Sequence, residues 1–158
     1  MKTRVWICLG VIPLLLAVTG CSSFNREWKQ AATQPAHAHD IAGRWEGHWR
    51  SDANGHNDKL RAIITAVDPN HYDVKFHAAY KNWQTMFITV HFGYTVRMKA
   101  KAATNGVTFR GSEDLGFLAG GVYTYEGRAD GTNFFSTYQS KYDWGTFEMK
   151  RPVGESNQ

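Results

Sequence analysis

Cysteine is almost missing from this chain of 158 residues, which has only Cys8 and Cys21. Everything after Cys21 is therefore without disulfides, and its stability must come from a packed core. Long apolar runs are missing too. The main apolar stretch, Val5 to Val18, falls short of the ~20 residues that a membrane-spanning helix needs. No segment carries a convincing helical period, which argues against bundles and α/β layers. Charge of one sign is also scarce. The 18 basic and 14 acidic side chains are interleaved, and no basic run is dense enough for a nucleic-acid surface.

Catalytic arrangements are equally thin. Glu113-Asp114 is a pair of carboxylates, but neighbours on a strand point to opposite faces and cannot share a proton. His48, His77 and His91 take the outward register of their strands and have no nucleophile beside them. Gly120-Gly121 is turn chemistry, because no helix follows to complete a phosphate loop. His37 and His39 lack partner ligands at fixed spacing and read as part of a solvated linker. The chain is expected to be non-enzymatic, with no catalytic residue, no metal site and no cofactor.

What is present begins with an address. Lys2 and Arg4 precede the short apolar stretch, and small residues follow it, which is the pattern of an export signal. The segment Val18-Thr19-Gly20-Cys21 resembles the bacterial lipobox, in which a small residue precedes an obligatory cysteine. The resemblance implies that residues 1–20 are removed and that Cys21 becomes the acylated first residue. Ser22, where an aspartate would signal retention, implies the outer membrane with the domain facing the periplasm. Loss of Lys2 and Arg4 leaves a mild balance of +2.

Residues 21–40 read as a lipidated tether, small and polar and without a sustained period. From residue 41 to residue 152 the texture changes. Turn signals recur roughly every 10 to 18 residues, and apolar and polar side chains alternate between them. Strands are expected at Gly43–Ser51, Asp58–Val67, His71–Tyr80, Thr85–Ala102, Val107–Ser112, Val122–Arg128, Thr132–Tyr142 and Gly145–Arg151, with a polar tail from 153 to 158. One apolar face per strand, with no helices to cover a second, leaves a sandwich or a closed barrel. Short connections between consecutive strands favour a single eight-stranded antiparallel up-and-down barrel, which also removes exposed edges. All seven tyrosines, at 72, 80, 94, 123, 125, 138 and 142, fall on the inward register of these strands.

The first strand opens Gly43-Arg44-Trp45. A Gly-x-Trp on the first strand of a small exported eight-stranded barrel resembles the lipocalins and their calycin relatives. That resemblance implies a tryptophan closing one end, crossed by an arginine from the last strand, here Trp45 and Arg151. The Thr-Asp-Tyr signature of lipocalins is absent, so no ligand is carried over.

Alternate loops share an end of such a barrel. The longer loops gather at the end away from Trp45 and carry Trp83, Phe117 and Trp144, which makes that end the expected mouth or lid. A small apolar or amphipathic ligand would pass these three and rest on Tyr94, Tyr123, Tyr125 and Tyr138. The tether would sit at the opposite, closed end. An equally structural alternative is a filled barrel whose hydroxyls pair among themselves. In that case the domain is a protein-interaction or inhibitor module of the envelope. Ala119-Gly120-Gly121-Val122-Tyr123 is similar to the Ser-Gly-x-x-Tyr segment of periplasmic inhibitors of C-type lysozyme, with alanine in place of the serine.

Overall fold

The computed structural model describes residues 23–34, 40–81 and 89–153. Eight strands, β1 (Gly43–Ser51), β2 (Asn57–Asp68), β3 (His71–Lys81), β4 (Thr89–Ala103), β5 (Gly106–Asp114), β6 (Val122–Ala129), β7 (Asn133–Gln139) and β8 (Trp144–Lys150), follow one another in sequence order. Each pairs antiparallel with the next, and β8 returns to β1, closing the barrel. Trp49 of β1 lies opposite Asp58 of β2 on one side and Phe147 of β8 on the other. The architecture is the lipocalin-like, all-β up-and-down barrel that the alternation of apolar and polar side chains predicts.

The inward registers supply the core. Trp45, Leu60, Ile64, Val74, Phe76, Val96, Met98, Phe134 and Tyr125 are each at most 2% exposed. Rings stack across the interior: Phe109 on Phe134 at 4.9 Å, Phe76 edge-on to Phe147 at 5.1 Å, and Tyr138 against Phe147 at 4.8 Å. Gly127 makes room for this packing. A Cβ there would come within 2.7 Å of Phe109 Cζ.

The closed end carries the tight turns. Asn70 N–H bonds to the Asp68 carboxylate at 2.8 Å, and Asp130 accepts the N–H groups of Thr132 and Asn133 at 2.7 Å each. Arg151 crosses Trp45 here, its Cζ 4.3 Å from the indole centroid. The guanidinium donates to the carbonyls of Ala42 and Asp40, both at 2.7 Å. Trp45 Nε1 donates to the Ile41 carbonyl at 2.8 Å. Gly43 sits at φ +111°, and a Cβ there would lie 2.7 Å from Arg151 Nη1. Glycine, tryptophan and arginine thus meet as one unit.

Two expectations need correction. The strand predicted to run to Tyr142 stops at Gln139, because Ser140 and Asp143 close a turn through paired backbone and hydroxyl bonds. Tyr142 is 65% exposed and plays no part in the interior. The second correction is the tether. Residues 23–31 form a helix, α1. It covers outward-facing residues of β2 and β3: Phe24 stacks on His77 at 4.5 Å and is 2% exposed. Arg61 lies over Phe24 and Trp28, Arg44 over Trp28, and Lys75 pairs with Glu27 at 2.6 Å. Ile63, on the outer face of β2, is buried along with His77.

Candidate functional site at the mouth of the barrel

The structure brings together four residues predicted to contact a ligand. Tyr94 of β4, Tyr123 and Tyr125 of β6 and Tyr138 of β7 share the inward register, and antiparallel pairing sets Tyr125 directly opposite Tyr138. Ring centroids are 6.2 Å apart for Tyr94 and Tyr125, 6.4 Å for Tyr123 and Tyr125, and 6.1 Å for Tyr123 and Tyr138. Burial is graded. Tyr125 and Tyr138 are buried, Tyr94 and Tyr123 are half-buried, and Phe92 at the rim is 37% exposed and 5.5 Å from Tyr94.

Beneath the tyrosines lies the packed core, since Tyr125 rests on Phe76 at 6.0 Å and Tyr138 on Phe147. The cluster is therefore the topmost core layer. Its hydroxyls are unequally served. The Tyr138 hydroxyl meets the Arg50 carbonyl and the Asp143 carboxylate, both at 3.4 Å. Ser51, 1% exposed, donates to the same carboxylate at 2.6 Å and joins the β1–β2 and β7–β8 hairpins. The Tyr125 hydroxyl is buried and makes no hydrogen bond of good geometry among the described residues, although it interacts with the Tyr94 phenol.

Burial, reinforced by Tyr125, Tyr123 and Tyr138, holds the Tyr94 phenol well above its usual pKa. Burial likewise raises Tyr125, and burial together with the Asp143 carboxylate raises Tyr138. The three are neutral phenols near pH 7. They can donate hydrogen bonds and offer ring faces, but they supply no base and no phenolate.

The other predicted contacts part company with this cluster. Phe117 is 93% exposed at the tip of the β5–β6 loop and does not lean over the tyrosines. Trp144 begins β8 on the outward register, opposite Gln139, and is 49% exposed. It lines an open groove of about 1220 Å3 with Ser112, Thr124 and Thr137, and the same groove touches Tyr125 and Tyr138 of the cluster. Trp83 and Cys21 lie outside the described residues.

Helix α1 was not legible in the sequence analysis. The one signal for it is the pair Phe24 and Trp28, four residues apart, flanked by the half-buried Ser23, Glu27 and Ala31 on the same helical face. Its direction matters. Phe24 meets His77 four residues from the mouth end of β3, while Trp28 reaches Arg44 at the closed-end start of β1. The helix runs from the mouth side towards the closed end, where Asp40 and Ala42 meet Arg151.

Among the described residues, no three histidine, cysteine or acidic side chains cluster as metal ligands would. Comparison with protein-family models, with curated proteins and with solved structures finds no match in any of the three.

Proposed function

We propose that this protein is a non-enzymatic, lipid-anchored module of the bacterial cell envelope that works through its surface, its barrel interior being structural. One observation carries the reading. Trp45, Phe76, Phe109, Phe134, Tyr125, Tyr138 and Phe147 fill the barrel in mutual ring contact, none more than 5% exposed. A drug-sized ligand needs a pocket of roughly 300–1,000 Å3 that buries most of its surface, and side chains already occupy that space. Lipid attachment at Cys21 and residence at the outer membrane rest on the lipobox and Ser22.

A second reading is favoured by the Tyr125 hydroxyl. A buried polar group that is poorly served costs up to about 1–3 kcal/mol, and this hydroxyl has only the Tyr94 phenol beside it, so a small amphipathic molecule at the rim, against Tyr94, Tyr123 and Phe92, would offer it a better acceptor. Titration separates the two. Fatty acids, lysophospholipids and aromatic probes are added to the folded protein and binding is followed by calorimetry. The surface-module reading expects nothing tighter than millimolar, roughly −4 kcal/mol. A micromolar complex that is lost in Tyr123→Ala would replace it with the ligand-binding reading.

A further inference from the structure

Among the described residues, large exposed apolar side chains gather at the mouth end, where the aromatic ones all lie, with Val67 and Val153 alone at the other, at 46% and 103%. Phe117 is 93% and Leu118 99% exposed, adjacent at the tip of the β5–β6 loop. Val122, Tyr142 and Trp144, at 53%, 65% and 49%, lie at the same end, as does Phe92. Large apolar side chains held out in water at one end of a soluble barrel mark a surface meant to be covered. We propose that the mouth end docks on a lipid bilayer and that Phe117 and Leu118 insert into its interfacial layer.

Three features select a bilayer as the occupant. The first is the build of the tip. Gly116 N–H bonds to the Asp114 carboxylate at 2.9 Å, Gly121 N–H to the Gly116 carbonyl at 2.9 Å, and Ala119 N–H to that same carbonyl at 3.0 Å. Leu115 N–H reaches the Gly121 carbonyl at 3.0 Å. Gly116, Gly120 and Gly121, all at positive φ, permit this fold-back. The loop thus satisfies much of its own backbone, which a segment entering lipid must do, while presenting two uncharged side chains.

The second feature is the surrounding belt. Tyr142, with Lys141 Nζ 5.1 Å above its ring, and Trp144 are aromatic residues with a polar handle, the kind that settles at a membrane–water boundary. The described loops at this end hold no excess of base: Lys141 is offset by Asp52 and Asp143. Docking would be apolar, with no attraction specific to anionic lipid.

The third feature is the path of the chain, and here the inference rests on the lipid-anchor reading. Cys21 precedes Phe24 by three residues, a reach of at most about 11 Å. Phe24 lies four strand residues below the mouth end of β3, about 13 Å before strand tilt shortens it. Acyl chains on Cys21 would therefore be confined to the β2–β3 side of the barrel, within reach of its mouth half. The Phe117–Leu118 tip stands between β5 and β6, on another side. Two attachments set apart around the mouth half fix the orientation of the barrel, mouth to the membrane, where one acyl anchor alone leaves it free to tumble.

The test uses the full processed protein reconstituted in phosphatidylcholine vesicles. Leu118→Cys carries an environment-sensitive fluorophore, and Asn105→Cys at the closed end carries the same probe as reference. Both positions are exposed, so neither change threatens the fold. Peptide mass scores acylation of Cys21 and the site of labelling. The expected result is emission shifted to the blue and quenched by brominated phosphatidylcholine at position 118 but not at 105, unchanged by salt or by added phosphatidylglycerol. Acylated protein without quenching at 118 overturns the inference and leaves the anchor standing, and quenching at 105 in its place overturns it in favour of the opposite orientation. A blue shift at 118 that ignores the brominated lipid and grows with protein concentration overturns it in favour of a second copy of the chain. An unacylated Cys21 removes the anchor reading, and quenching at 118 in a Cys21→Ser chain added to vesicles then decides the loop on its own.

Discussion

At the closed end of the barrel, Trp45 makes contacts of three kinds. Its indole fills the core against Phe134 at 5.9 Å, its Nε1 donates to Ile41, and its face receives Arg151. Removing a buried tryptophan costs about 3–5 kcal/mol. The cation over the ring contributes about 0.5–2 kcal/mol, which would make Arg151→Ala much the milder change if stacking were all that Arg151 did. The structure adds two short bonds to the carbonyls of Asp40 and Ala42. Hydrogen bonds from a charged donor are worth about 1.5–3 kcal/mol, so Arg151→Ala is expected to fall close behind Trp45→Ala in denaturant midpoint. Arg151→Lys should recover little, because an ammonium cannot span both carbonyls while lying flat on the indole. An Arg151→Ala protein as stable as the parent would show that the crossing is ornamental.

At the scale of the element, α1 is held to the barrel by Phe24, Trp28 and the Glu27–Lys75 pair, and it buries His77. Burial lowers the His77 pKa to about 4, and Arg61 and His91 add to the shift. The sign follows. With α1 docked, His77 binds a proton only near pH 4; released, it returns towards about 6.5. Docking is therefore at full strength above about pH 6.5 and weakens as pH falls towards 4, by at most about 3 kcal/mol. Hydrogen exchange in residues 23–31 should rise over that range while the strands stay protected. His77→Gln should flatten the dependence, and Phe24→Ala should release the helix even at pH 7. Exchange in α1 that is flat from pH 7 to pH 4 would count against His77 as the coupled group. The strands were legible because a half-buried strand writes its period of two into the sequence, as β3 does from Tyr72 to Ala78. Nine helical residues with two large apolar side chains are too few to write a period of 3.6. The tyrosine cluster was legible for the same reason as the strands. Phe117 and Trp144 were not, because parity assigns a face along a strand and says nothing of how a loop tip turns or on which side a strand begins.

For the whole molecule, closure matters most. β8 is bonded to β1 at six register positions, and among the described residues the ring is loosest between β4 and β5, which pair only from Met98 to Ala103 and leave Thr89–Arg97 with a partner strand on one side alone. An interaction has the loops, the outer surface, the lipid and that stretch of β4 edge to use. The core of the barrel is built from residues between Ile41 and Met149, and α1 adds Phe24 to the outer face. Fold and proposed anchor are therefore expected to be separable. Cys21→Ser is expected to leave the near-ultraviolet circular dichroism of the packed aromatic core and the thermal midpoint unchanged. It should also abolish incorporation of labelled fatty acid, since the thiol is the one group on which lipid is proposed to be built. The scale of what is lost is set by burial: about 0.8 kcal/mol for each methylene in the bilayer, so that more than one chain makes a firm anchor. Undiminished label on the variant would end the lipoprotein reading. A variant that loses its label and its fold together would instead mean that the segment around Cys21 belongs to the packed domain.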